Sequence, residues 1–266
     1  MAEGSPSTTD RARGQPVAGL RERLLAIEET WLGFASEPLA MRLERARWQP
    51  DDPDLVCPRC AASVGRYEAL EGSCNACRDS KLAVQRTLRL GPYAGVLGEI
   101  VREIKFQRFR TLGVQVGRML GERLASELAS ASIAPGRAVL VPIPMSWRRR
   151  VSRGIDHTQT LCRGVSATSG CPITPLLSRR HGPTQLAVTA SKRAANVRKS
   201  FRVCRSPKNS VECLILVDDV RTTGATLNAA GRTLLRHLDL RRGVRGNGPM
   251  LWSLVVASAD AGRGAL

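Results

Sequence analysis

The sequence predicts an α/β protein with a mainly parallel sheet, preceded by a small four-cysteine zinc-ribbon-like module. Three observations carry this. Short apolar runs alternate with helical patterns from residue 88 onward, and two Cys-x2-Cys pairs lie thirteen residues apart. One apolar run, Leu214 to Val217, opens onto two acids and a loop of small hydroxyl residues before a helical stretch.

The elements follow in chain order. Residues 1–17 are rich in Gly, Ser, Pro and Thr and read as a disordered tail. Residues 18–56 form a helical segment: Leu20, Leu24, Leu25, Ile27, Trp31 and Leu32 recur at near-helical spacing before an acidic turn at 49–54. The cysteine module occupies 57–80, and the α/β domain 88–258. Within that domain, 88–93 reads as an extended piece broken by Gly91-Pro92. Ile100, Val101, Ile104 and Phe106 alternate with Arg102, Glu103 and Lys105 as a helix, and a second helix over 112–131 ends at Pro135-Gly136. Residues 138–143, 213–217 and 251–257 read as buried strands, 173–177 as a short apolar run, and 158–165 and 226–238 as helices. Residues 259–266 form a tail.

Charge is unevenly spread within a formal total of +18. From Met145 to Ser210 there are fourteen Lys or Arg against the single acid Asp156. Such a concentration suits a phosphate-rich small molecule or a nucleic acid, while an arginine-rich composition with a solvated basic face explains it equally simply. Aromatic residues are only 4% of the chain, so stacking platforms for bases are few. The polar start lacks the pattern of a signal peptide, and no apolar run reaches the length of a membrane span, so a cytoplasmic protein without membrane insertion is expected.

In that compartment thiols stay reduced, and paired cysteines favour metal over disulfide. Cys57, Cys60, Cys74 and Cys77 have the spacing of a closed four-thiolate shell for structural Zn²⁺, which leaves no open position for catalysis. Neighbouring Arg59, Arg66 and Arg78 are candidates for nucleic-acid contact.

The sharpest chemistry lies between Leu214 and Leu227. Asp218 and Asp219 end an apolar strand, and Arg221, Thr222, Thr223, Gly224, Ala225 and Thr226 lead into a helix. Free N–H groups at a helix start hold a phosphate, Gly224 lets the backbone approach closely, and the threonines add hydroxyl donors. Two carboxylates aimed at that phosphate would repel it. They suit hydroxyl groups elsewhere on the ligand, such as those of a ribose 5′-phosphate.

This string resembles the ribose-phosphate signature of type I phosphoribosyltransferases. The resemblance implies a parallel sheet with flanking helices and a small hood, with phosphoribosyl pyrophosphate and Mg²⁺ as ligands. Asp218 and Asp219 would contact the ribose hydroxyls, and Arg221 to Thr226 would wrap the 5′-phosphate. With the cysteine module, further strings resemble the ComF/GntX family of competence-associated proteins. These are Ile104-Lys105-Phe106 with Arg108 and Arg110, Val141-Pro142-Ile143-Pro144, Arg153-Gly154-Ile155-Asp156-His157, and Gln185, Arg193, Asn196-Val197 and Phe201. The third departs from the family's Arg-Gly-Phe-Asn-Gln by placing Asp156 and His157 where Asn and Gln stand.

If the chain is a pentosyl-class glycosyltransferase, its main task is to stabilise a departing pyrophosphate. Lys105, Arg153 and Arg193 are the catalytic cations expected, with Lys192, Arg198 and Lys199 on a basic loop over 184–200 that can close as a lid. The family resemblance implies a role in DNA uptake or DNA and nucleotide processing. It equally admits a non-catalytic single-stranded DNA-binding protein, a sensor of a nucleotide precursor, and contact with other competence proteins. No residue identifies the acceptor.

Overall fold

The computed structural model describes residues 37–65, 67–68, 72–106, 110–145, 156–179, 200–208, 210–242 and 248–259. The expected N-terminal tail, the helix drawn from Leu20 to Leu32, Arg66, Arg148 to Ile155 and the basic loop with Arg193 lie outside the described residues.

Four strands form one parallel sheet: β1 (Arg86–Pro92), β2 (Ala138–Pro142), β5 (Cys213–Arg221) and β6 (Met250–Ser258), in the order β1-β6-β5-β2. Two short strands, β3 (Leu177–Arg179) and β4 (Phe201–Val203), pair antiparallel in a separate ribbon. The helices are α1 (Leu39–Arg45), α2 (Gly95–Phe106), α3 (Arg110–Ser130), α4 (His157–Ser169) and α5 (Ala225–Arg242). The expectation of a mainly parallel α/β sheet behind a four-cysteine segment therefore holds. No helix among the described residues is long and apolar enough to cross a membrane.

The sheet is buried on both faces, so its strands read as continuous apolar runs. Period-two alternation sorts their side chains. Cys213, Ile215 and Val217 of β5, with Ala138, Leu140, Trp252 and Leu254, join a core with α2, α3 and α4. Leu214 and Leu216, with Val139, Val141, Leu251 and Val255, join the opposite core with α5, β3 and β4. Strand β5 outruns its apolar stretch. It was expected to stop at Val217, yet Asp218, Val220 and Arg221 remain paired to Val255, Ala257 and Ser258 of β6, so both acids sit inside the strand.

Helix α3 stops at Ser130, ahead of the expected Pro135-Gly136. Ser132 takes a left-handed backbone (φ 56°), and its N–H and that of Ile133 bond back to Ala129 and Leu128, closing the helix as a C-cap motif does. Along α3, Gly113, Gly117 and Gly121 recur every four residues and face α4, against Thr160, against Leu161 and Gly164, and against Val165 and Thr168 respectively. A Cβ on Gly117 would lie 2.3 Å from the Leu161 carbonyl oxygen, and one on Gly164 would lie 2.1 Å from that of Val114. Backbone therefore meets backbone. This close crossing fixes α4, whose first residue is His157, against the helix pair that carries Lys105.

Strand β1 differs from its neighbours. Leu88 and Leu90 face the α2–α3 core, but Thr87 and Arg89 face the other way, where the cysteine segment packs. Thr87 N–H donates to the Pro58 carbonyl and its hydroxyl to that of Arg59. The fully buried Arg89 donates to the Ala61 carbonyl and to the hydroxyls of Ser63 and Ser258, and pairs with Asp51 at 2.7 Å. Arg42 of α1 grips Glu103 of α2 through two bonds of 2.6 and 2.7 Å.

Candidate functional site

In parallel sheets ligands gather outside the carboxyl ends of the strands. Here that rim holds a cavity of about 190 Å³ lined by residues that include Lys105, His157, Thr158, Arg179, Asp218, Asp219 and Thr226. Strand alternation starts the two acids on opposite faces, yet at this end of the strand both line the cavity, with a carboxylate oxygen of each and a His157 ring nitrogen within 4.8 Å of one another. Asp219 follows Val217 toward α2 and α4; Asp218 follows Leu216 toward β3 and α5.

Their environments differ accordingly. One Asp219 oxygen accepts from the Val220 N–H at 2.6 Å and lies 3.4 Å from Lys105 Nζ; the other lies 2.6 Å from His157 Nε2. Burial opposes its charge, but the His157 hydrogen bond and the Lys105 ammonium outweigh it and hold its carboxyl below the usual range. Asp218 lacks such close cations. Desolvation, and then the Asp219 charge, push it up to about 8, although its Oδ1 accepts the Asp219 N–H at 2.9 Å and Lys105 and Arg179 pull the other way. Of the two acids, Asp218 is the one whose protonated form the site favours.

The two residues that depart from the family string take distinct structural roles. Asp156 is the N-cap of α4, its carboxylate accepting from the Gln159 N–H at 3.3 Å, a role for which Asp and Asn serve alike. His157 is buried and bonded to Asp219. Its Nδ1 and the hydroxyl of Thr158 are buried with no hydrogen-bond partner among the described residues.

Beyond the acids, β5 leaves the sheet through Thr222, Thr223 and Gly224, and α5 starts at Ala225. Gly224 has φ +73°, the left-handed region that favours glycine, with the Arg221 guanidinium folded against it. The Thr223 hydroxyl accepts from the Ala225 N–H at 3.3 Å. Thr222 and Thr223 are exposed at the rim, and Thr226 reaches the cavity. Of the three expected catalytic cations, the structure brings Lys105 to the acids; Arg153 and Arg193 lie outside the described residues. Arg179 was not expected. Its only sequence signal is membership of the basic stretch.

The four cysteine sulfurs all lie within 4.8 Å of one another. The Cys57–Cys77 and Cys60–Cys74 separations are 3.6 Å, and Cys74–Cys77 is 3.7 Å. These fit the edge of a tetrahedral zinc–thiolate shell, about 3.8 Å for bonds of about 2.3 Å, and exclude disulfides in this state. The Cys74 N–H donates to Cys57 Sγ at 3.3 Å. The donor set fits a structural Zn²⁺ held by Cys57, Cys60, Cys74 and Cys77. Arg59, a candidate for nucleic-acid contact, is used inside the segment: its guanidinium donates to the carbonyls of Cys77, Arg78 and Ser80 at 2.6, 3.0 and 2.6 Å. The chain after the second knuckle then reaches α5, where the Asn228 side chain accepts from the Ala83 N–H at 2.7 Å.

No family model matches the chain. Curated proteins similar to it include the DNA utilization protein YhgH of Salmonella typhi, 28% identical over 186 residues that cover 68% of this chain and 78% of that protein. Competence protein F of Haemophilus influenzae is 26% identical over 69% of this chain and 80% of its own length. Competence protein ComFC of Bacillus subtilis is 27% identical over 68% and 71%. Among solved structures, hypoxanthine phosphoribosyltransferase from Trypanosoma cruzi is 16% identical over 58% of this chain and 71% of that one, with a TM-score of 0.32. That overlap is weak, and the fold rests on the strand order above. The chain is thus similar, at 26–28% identity over about two thirds of its length, to proteins named for DNA utilization and competence.

Proposed function

We propose that the chain binds phosphoribosyl pyrophosphate, or a related ribose 5-phosphate, and acts as a phosphoribosyltransferase in DNA uptake or in DNA and nucleotide processing. The carrying observation is the acid pair at the end of β5, joined through a glycine turn to the start of α5 beside a polar cavity. In this reading Asp218 and Asp219 take the ribose hydroxyls, and Arg221, Thr222, Thr223, Gly224, Ala225 and Thr226 enclose the 5′-phosphate. Lys105, with Arg153 and Arg193, faces the pyrophosphate. Mg²⁺ would accompany the phosphoribosyl pyrophosphate, offsetting its negative charge.

Calorimetry tests this reading. Ribose 5-phosphate, and phosphoribosyl pyrophosphate with Mg²⁺, are expected to bind the full chain, and Asp218→Asn with Asp219→Asn to abolish binding. Unchanged affinity in the double variant refutes the assignment.

A second reading is favoured by the basic stretch from Met145 to Ser210 and by the DNA-related names of the relatives. In it the protein holds single-stranded DNA electrostatically, with or without catalysis. Affinity is then steeply salt-dependent and falls when Arg148, Arg149 and Arg150 are neutralised. Contact with other competence proteins fits the same setting.

A further inference from the structure

We propose that the cysteine segment is the back support of the glycine turn at Gly224, so that metal loading of Cys57, Cys60, Cys74 and Cys77 raises the affinity of the chain for a ribose 5-phosphate. This rests on the phosphoribosyl reading above. It adds two positioning residues, Asn228 and Arg232, and a coupling between the two sites.

A strap of four residues, Lys81 to Val84, joins them. Leu82 packs against the cysteine cluster, whereas Val84, with Ala83 beside it, belongs to the core under α5 with Leu227 and Ala230. The Asn228 side chain accepts from the Ala83 N–H, and the Arg232 guanidinium donates to the Lys81 carbonyl, both at 2.7 Å. Gly231 lies beside this contact, and a Cβ there would come within 3.0 Å of the Ala83 Cβ. The strap therefore lies directly on the first two turns of α5.

The cysteine segment holds the start of the strap. Arg59, inside the first knuckle, donates to the carbonyls of Cys77, Arg78 and Ser80, the last of them one residue before Lys81. Those carbonyls keep this arrangement only while the second knuckle is folded, and a four-thiolate knuckle folds with its metal.

The other end of the joint is the turn itself. The Asn228 N–H donates to the Gly224 carbonyl at 2.9 Å, so the residue that receives the strap also closes the first turn of the helix. Between the turn and the cysteine segment lies a cavity of only about 10 Å³, lined by residues that include Arg59, Leu82, Arg221, Gly224, Leu227 and Asn228. That is room for one water at most, which makes it a packed joint and not a second ligand site.

A helix start holds a phosphate through several N–H groups aimed at one place. If loss of the knuckle leaves the competent turn populated about a tenth of the time, apparent affinity falls about tenfold. The coupling is reciprocal, so ribose 5-phosphate tightens zinc binding by the same factor.

The test is calorimetry with ribose 5-phosphate on the full chain, zinc-loaded and after chelation, at a temperature where circular dichroism shows both forms folded. Zinc affinity is measured by competition with a colorimetric chelator, with and without ribose 5-phosphate. Chelation is expected to weaken ribose 5-phosphate binding about tenfold, and ribose 5-phosphate to tighten zinc equally. Asn228→Ala with Arg232→Ala cuts the strap and keeps all four thiols. This variant should hold about one zinc per chain, bind ribose 5-phosphate about tenfold more weakly, and lose little more on chelation. Bonds with a merely structural role would lower its stability and leave the affinity of the folded chain unchanged. Arg236→Ala, exposed one turn further along α5, controls for lost charge and should change affinity less than about twofold. Where chelation unfolds the chain, the zinc-loaded strap variant decides by itself. Affinity within about threefold of the wild type, in the folded chelated chain or in the zinc-loaded strap variant, overturns the proposal. Absence of ribose 5-phosphate binding to the zinc-loaded wild type defeats the phosphoribosyl reading, and this coupling with it.

Discussion

Asp219 and His157 meet at 2.6 Å across the junction of β5 and α4, and the neighbouring Asp218, one residue earlier on the same strand, has no share in that contact. The adjacent acids shift in opposite directions because His157 and Lys105 reach Asp219 closely, while burial and the Asp219 charge dominate at Asp218.

The first prediction concerns Asp218. Its folded-state pKa of about 8 stands above the ordinary 3.8, so between those values the folded chain holds a proton that the unfolded chain has released. Stability then falls as pH rises from about 4 to about 8 and levels off above. Asp218→Asn removes the ionisation. It should raise the melting temperature by several degrees near pH 8.5, at roughly 2–4 °C per kcal/mol, with the gain vanishing near pH 4. Thermal melts at both ends of the range decide it.

The cysteine shell should be part of folding. Metal analysis is expected to find about one zinc per chain, and chelation should lower the melting temperature by roughly ten degrees. Cys57→Ser should match the chelated protein. Cys162→Ala, at a core cysteine away from the cluster, should leave zinc content unchanged.

Arg89 joins the cysteine segment to β1 and β6. Arg89→Met keeps an apolar stem but leaves Asp51 and the Ala61 carbonyl without their cation, a loss expected to cost about 3 kcal/mol. Chemical denaturation measures it. Limited proteolysis should then cut first in the cysteine segment.

The glycine crossing gives a prediction of unusual sign. Alanine for glycine inside an open helix stabilises it by about 1 kcal/mol. Gly164→Ala should instead destabilise by about 1–3 kcal/mol, because the new methyl meets the Val114 oxygen at 2.1 Å and the Arg118 nitrogen at 2.8 Å, and backbone cannot move aside as a side chain can. Equilibrium unfolding in urea checks the sign.

The elements of the sheet were legible because they rest on local pattern. Apolar runs at 138–143, 213–217 and 251–257 became β2, β5 and β6, and helical patterns became α2 to α5 within a few residues at their ends. The ends moved where tertiary pairing took over: β6 extends far enough to keep Asp218 to Arg221 in the sheet, and a left-handed Ser132 stops α3 early. The Gly113, Gly117, Gly121 spacing was present in the sequence as a signal for a close helix crossing, but which helix it meets is a long-range fact.

By itself the sequence determined the chemistry on offer: four thiols at zinc spacing, an acid pair, and a glycine turn with hydroxyls at a helix start. Those depend on residue types at short separations. Only the tertiary structure decided how the groups are shared. It turned Asp219 toward Lys105 and His157 and left Asp218 with burial raising its pKa. It committed Arg59 of the first knuckle to carbonyls at and after the second, and packed the cysteine segment on β1. The reason is that charge and hydrogen bonding are set by atoms within a few ångströms, and here those atoms come from residues 18 to 169 positions apart in the chain.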